Sequence, residues 1–250
     1  AVGLAGAGEH DVRIEPAESF DEVLAATSDG GLGVLPITSS ASGLVSRAVR
    51  ALLSSDADLI AGGVVDVAVR FDAYAAAPVV LAELRGAPVF RHPQALAQCA
   101  NFTTRWGLVP QPCASTSEAL ERLRTHAGPA IAIASSGAEA DHPFVHVVER
   151  EIDDLSGSIT RFLVVGAPGV FDEHRDGSDP TLRSIVLAPA VTTIAGLVGR
   201  GAGFDELLTD AAGNCLWVSS QAVTTLPDGV RDLGVVPWSP RTPVVRPTPG

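Results

Sequence analysis

Leu32-Gly33-Val34-Leu35-Pro36-Ile37-Thr38-Ser39-Ser40-Ala41-Ser42-Gly43 is the stretch that decides the fold class. It begins as a short apolar strand, Leu32 to Pro36, and passes into a run of small hydroxyl side chains closed by Gly43. Leu44, Val45, Ala48, Val49, Leu52 and Leu53 then recur at helical spacing, with Arg47 and Arg50 on the other side. The segment from Asp58 to Arg70 returns to a strand, because Val65, Val67 and Val69 alternate with Asp66, Ala68 and Arg70. Upstream, Ser19 and Glu22 have capping-box spacing for a helix between Glu15 and Ala26.

The same strand–loop–helix theme continues along the chain. Ala87 to Phe90 reads as a strand entering Arg91-His92-Pro93, and Pro93 suits the first turn of a helix reaching Arg105. Ser115-Thr116-Ser117-Glu118 is a second capping pattern, before a helix carrying Leu120 and Leu123; Ser136 to Glu139 is a third. Ala130 to Ala134, Val145 to Val148 and Arg161 to Val165 read as strands. This alternation predicts an α/β protein whose strands lie in a largely parallel sheet. Gly166 to Pro180 has the composition of a linker. Ser184 to Leu187 and Leu216 to Ser219 are strands with a weak helix between, and the tail from Pro237 is proline-rich.

Composition removes several kinds of chemistry. The chain has 250 residues and a net charge of −12, which argues against a nucleic-acid partner needing a basic face. All 17 basic residues are arginine, so lysine Schiff bases and a Walker-type phosphate lysine are excluded. Three cysteines without CxxC spacing signal neither zinc nor a redox dithiol. His142 and His146 are interrupted by Pro143, and the Gly3 to Gly8 run lacks both the Rossmann order and a preceding strand. No apolar run reaches the roughly 18 residues of a membrane span. No membrane partner and a cytoplasmic location are therefore expected, and Ala1 to Asp11 has no basic region of a retained signal peptide.

Four segments together resemble the prephenate dehydratase family. Leu35 to Gly43 resembles its V-P-I-E-N-S-x-x-G loop, and His92-Pro93-Gln94-Ala95-Leu96-Ala97-Gln98-Cys99 is similar to its H-P-Q-A-L-x-Q-C. Ser115-Thr116 with Ala119 resembles S-T-x-x-A, and Thr160-Arg161-Phe162-Leu163-Val164-Val165 resembles T-R-F-L-V-I. Their order and spacing agree from Val12 to Val165. The resemblance implies a two-lobed fold like a type II periplasmic binding protein, with lobe one at about 1–75 plus 159–165 and lobe two at about 76–158. Residues 166–180 would link it to a divergent, smaller ACT-like α+β domain over 181–250. The phenylalanine-binding G-A-L-x-x-x-L and E-S-R-P motifs are absent from Thr181 to Val236. In the E-N-S loop, the Glu and Asn positions hold Thr38 and Ser39, while Ser40 matches.

The implied reaction is cofactor-free, because aromatisation drives loss of carbon dioxide and hydroxide from a small anionic cyclohexadienyl substrate. The implied catalytic residues are Thr160, donating to the departing oxygen, and Ser40. Substrate contacts would come from Arg161, Phe162, Ser39, Thr38, Ser115, Thr116, His92 and Gln94, with Arg161 or helix-start N–H groups holding carboxylates. Read without the resemblance, Ser39 and Ser40 could instead cap the following helix, His92 could satisfy backbone, and Thr160 could be an ordinary strand residue. A homodimer or homotetramer is expected. Two other readings stand beside dehydration: a specialised relative that decarboxylates or rearranges without losing the hydroxyl, and a non-catalytic anion binder.

Overall fold

The computed structural model describes residues 13–27, 30–171, 181–189, 205–220, 226, 228–238 and 244–245. The Gly3 to Gly8 run, most of the expected linker's second half and the helix expected between the last strands lie outside them. Ser19 does cap the first helix: its Oγ accepts from Glu22 N at 3.2 Å, while the Glu22 carboxylate accepts from Glu18 N at 2.8 Å. Helix α1 is Phe20–Thr27, followed by β1 (Gly33–Ser39), β2 (Gly43–Leu44), α2 (Ser46–Ser54) and β3 (Ile60–Ala68). Strand β10 (Ile159–Gly166) returns from far along the chain and lies between β1 and β3, giving the order β2-β1-β10-β3.

Every ladder of this first sheet is antiparallel. That corrects the largely parallel sheet expected from the alternation of elements. β1 and β3 do run the same way, as a crossover through α2 requires, but β10 enters between them in the opposite sense. Local patterning carries no signal for a strand inserted from more than ninety residues away.

The second lobe holds β4 (Phe71–Ala75), β5 (Pro88–Arg91), α3 (Pro93–Ala97), α4 (Ala100–Trp106), β6 (Val109–Pro112), α5 (Thr116–Thr125), β7 (Ile131–Ser135) and β8 (His146–Glu149). Its sheet order is β6-β5-β7-β4-β8, with β5 parallel to β6 and β7 and the β4 ladders antiparallel. Because β4 belongs to this sheet and β3 to the first, the chain passes between the two sheets at Val69–Arg70. It returns beside the same point, where Val69 N donates to Ser158 O at 2.8 Å.

Two local expectations change for identifiable reasons. The helix expected from Pro93 to Arg105 is broken at Gln98-Cys99, because Asp154 caps α4 separately by accepting from Ala100 N at 2.9 Å and Asn101 N at 3.1 Å. The third capping pattern forms only a 3₁₀ turn at Ala138–Ala140; Ser136 Oγ donates to Asp72 at 2.8 Å instead of serving a helix.

Strands β11 (Leu182–Ala188), β12 (Glu206–Thr209), β13 (Cys215–Ser219) and β14 (Arg231–Pro237) form an antiparallel sheet in the order β12-β13-β11-β14. β15 (Val244–Val245) pairs with β9 (Leu155–Ser156) beside the crossover. This C-terminal sheet shares one core with lobe one: Ile185, Leu187, Leu216, Val218 and Leu233 are buried with Leu35, Ile37, Leu52 and Leu163. Arg231 donates to the carbonyls of Leu52, Ser55 and Ala57 around the C-terminal end of α2, the end that attracts cations. The three cysteines are free and buried. Among the described residues, no helix is long and apolar enough to cross a membrane.

Candidate active site

A cleft of about 750 Å³ opens between the two lobes. Its lobe-one wall is built by the end of β1 and the start of β10. Ser39 and Thr160 are partners across that ladder, and both line the cleft. The neighbouring pair, Thr38 and Arg161, is buried and does not line it. The alternation of side chains along a strand produces this division.

Arg161 therefore does not fit the role of substrate clamp expected from the sequence. Its Nε and Nη2 reach the two carboxylate oxygens of Asp66 at 2.9 and 3.0 Å, and its guanidinium lies 4.1 Å from the centre of the Trp238 ring. Phe162 stands opposite Pro36 and Val65 in the ladders; Pro36 lines the cleft, but Phe162 itself does not. Ser40 is likewise structural in placement: Ser40 Oγ accepts from Ile159 N and Ser40 N donates to Ile159 O, each at 2.9 Å. The hydroxyl run does not cap α2, whose N-cap is Val45 without a side-chain bond. Gly43, at φ 76°, supplies the left-handed turn that lets β2 fold back on β1.

The lobe-two wall carries Ser115, Thr116 and His92, so these expected residues do meet Ser39 and Thr160 in one cleft. Ser115 Oγ accepts from Glu118 N at 3.1 Å, leaving the other first-turn N–H groups of α5 without intrahelical partners. His92 is exposed at the start of α3. The side chain of Gln94 lies outside the described residues.

Sequence reasoning missed two arginines that line the cleft among the described residues, Arg91 and Arg47. Arg47 is exposed on α2, whereas Arg91 is only 5% exposed at the end of β5. Arg91 Nη1 donates to Thr116 Oγ1 at 2.7 Å and to the Ile133 carbonyl at 3.0 Å, and its guanidinium lies 4.6 Å from the Phe71 ring centre. Its Nε is buried with no partner. Burial lowers the Arg91 pKa from its ordinary value. Burial also pushes the nearby Cys99 thiol up to about 12, so the thiol stays neutral and supplies no counter-charge. The available signal was position: Arg91 ends an apolar strand, and α/β proteins bind ligands outside the carboxyl ends of parallel strands.

The family model for prephenate dehydratase matches residues 3–169. The chain belongs to the prephenate dehydratase family. Among its relatives, prephenate dehydratase of Methanocaldococcus jannaschii is 27% identical over 165 residues, covering 66% of this chain and 58% of the relative. Arogenate dehydratase/prephenate dehydratase 2 of Arabidopsis thaliana is 33% identical over 153 residues, covering 60% of this chain and 39% of the relative. The chain thus spans between 39% and 58% of these two relatives' lengths. The prephenate dehydratase of Arthrobacter aurescens, solved with L-Phe, superposes with a TM-score of 0.70 at 20% identity over 93% of this chain and 84% of that one. The two-lobed α/β architecture is therefore that of prephenate dehydratases.

Proposed function

We propose that this member of the prephenate dehydratase family is a carbon–oxygen lyase that converts prephenate to phenylpyruvate in the cleft between its lobes. Charge is the observation that carries this reading. The chain is strongly acidic, yet among the described residues the cleft lining holds Arg47 and Arg91 and no aspartate or glutamate. Such a cleft suits a dianion of small-molecule size. Prephenate carries two carboxylates and a ring hydroxyl. As its ring carboxylate leaves as carbon dioxide, the freed electron pair enters the ring and expels the hydroxyl. Hydroxide departs and takes up a proton to become water; the pyruvyl carboxylate stays on the aromatic product.

Thr160 is the proposed donor to the departing oxygen, with Ser39 beside it on the facing strand. A hydroxyl cannot transfer a full proton near neutral pH, so it acts by hydrogen bonding as negative charge builds on the leaving group. The dehydratase names of the relatives favour this over decarboxylation alone or simple anion binding. Incubating the protein with prephenate and identifying the product by mass and ultraviolet absorbance tests the reading. Phenylpyruvate supports it; loss of carbon dioxide alone, or unchanged prephenate, refutes it.

The C-terminal sheet order supports a divergent ACT-like domain, since a β-α-β-β-α-β chain of ferredoxin-like type gives that antiparallel arrangement. Its proposed role is packing against lobe one. A cytoplasmic setting accords with three unpaired, buried thiols. The homodimer or homotetramer is proposed with it, and light scattering of the purified chain reads it directly.

A further inference from the structure

Arg91 is a buried charged side chain with no counter-charge paired to it among the described residues. Buried charges are normally paired, because removing one from water is costly. The Arg91 hydrogen bonds go only to neutral oxygens, Thr116 Oγ1 and the Ile133 carbonyl, and its Nε meets no acceptor. Arg91 nevertheless lines the cleft, and its guanidinium is hydrogen-bonded to the residue that opens α5. The positive end of that helix adds to the attraction for an anion. The site is therefore built for a negative group supplied from the cleft.

We propose that Arg91, held in place by Thr116, clamps the carboxylate that the substrate keeps, the one on its pyruvyl side chain. This rests on the prephenate reading above. The choice between the two carboxylates follows from the chemistry of the step. The ring carboxylate loses its charge as carbon dioxide forms. A strong cation on that group would hold the starting state more tightly than the transition state and so slow the reaction. The pyruvyl carboxylate keeps its charge throughout, so a clamp there binds both states alike and leaves the barrier unchanged. Thr116 is a positioning residue: its Oγ1 fixes Nη1, which sets the plane in which the guanidinium presents its remaining donors.

Phenylpyruvate separates the possibilities, because it retains the pyruvyl carboxylate and lacks the ring one. Its binding, and that of prephenate, would be measured by calorimetric titration of the full chain, the Arg91→Gln variant and the Arg91→Lys variant. Arg91→Gln is expected to weaken both ligands by a similar factor, roughly 10–100-fold, the range of one charge-assisted contact. Arg91→Lys recovers part of that loss through its charge. At the same phenylpyruvate concentration the Tm of Arg91→Gln rises by less than that of the wild type. If Arg91→Gln does not fold, Thr116→Val replaces it, with phenylpyruvate expected to bind several-fold more weakly.

Unchanged phenylpyruvate affinity in the folded variant overturns the proposal. Weakening of prephenate alone overturns it as well, because Arg91 would then hold the departing carboxylate. So does a wild type that binds no phenylpyruvate. The two readings fail separately. A wild type that leaves prephenate unreacted but loses phenylpyruvate binding on Arg91→Gln keeps the clamp and loses the dehydratase. Normal prephenate turnover with unchanged phenylpyruvate affinity does the reverse.

Discussion

Thr160 and Arg161 are neighbours on β10 and serve opposite sides of its sheet. Thr160 lines the cleft opposite Ser39, while Arg161 is buried, forked onto Asp66 and stacked on Trp238. One strand thus joins the proposed reaction chamber to the C-terminal segment through two consecutive residues.

Arg161→Met is accordingly predicted to act on stability. It removes a two-pronged ion pair and the stack on Trp238, leaving the Asp66 carboxylate half-exposed. Discounting for that exposure, a loss of roughly 1–3 kcal/mol is expected. Urea unfolding reads the loss, and KM for prephenate should change little at temperatures where the variant is folded. A raised KM with unchanged stability would return Arg161 to the substrate.

Removing residues from 181 onward should unfold lobe one rather than release an independent catalytic region. Ile185, Leu187, Leu216, Val218 and Leu233 would leave a core they share with Leu35, Leu52 and Leu163. Each large buried side chain lost from such a core costs about 2–5 kcal/mol, which exceeds the usual margin after only a few. Calorimetry of the intact chain should show the C-terminal sheet and lobe one melting together. A separate low-temperature transition for the C-terminal sheet would contradict this.

Asp210 predicts how the same junction responds to acid. Burial alone would raise its pKa, but donors from the Asn214 and Ser46 side chains and from Asn214 N and Ala212 N override that and lower it. A carboxylate lowered in the folded state stabilises above its unfolded pKa, about 3.9. That stability is lost as pH falls through the folded value. Asp210→Asn should cost about 1 kcal/mol near neutral pH. The gap between variant and wild type in urea unfolding should narrow as pH falls below the unfolded value. A gap independent of pH would show that the ionised carboxylate is not the stabilising form.

How far these features were legible in the sequence depends on the range of the interaction. Ser19 and Ser115 announced their helix starts because a cap is a contact over three residues. The hydroxyl loop and the Thr160 segment were recognisable as motifs, but their pairing within one sheet depends on β10 crossing back between β1 and β3. The face each residue presents depends on register: a bulge between Pro36 and Thr38 places Ser39, not Thr38, opposite Thr160. Arg91 was passed over because an arginine's significance lies in what surrounds it. Its burial and its want of a carboxylate partner are properties of three separate segments, the β5 end, the α5 start and β7.

The cleft's charge predicts a preference between the two substrates that the Arabidopsis relative's name mentions. Arogenate carries an ammonium group where prephenate has a keto oxygen. The described lining, with two arginines and no acidic side chain, offers that ammonium repulsion and no partner. Prephenate should be favoured in kcat/KM by at least about tenfold, equivalent to 1.4 kcal/mol. Equal turnover of the two would show that the side-chain end of the substrate lies away from Arg91 and Arg47.

The most direct test of the proposed chemistry is the turnover of prephenate by Thr160→Val. Valine keeps the shape of the side chain and removes the hydroxyl donor. The donor matters most when charge accumulates on the departing oxygen, so its loss falls on the transition state. kcat for phenylpyruvate formation is predicted to drop by roughly 10²–10⁴ with KM little changed. A Thr160→Val enzyme with near-normal kcat would contradict the account and leave Thr160 as a structural residue of β10.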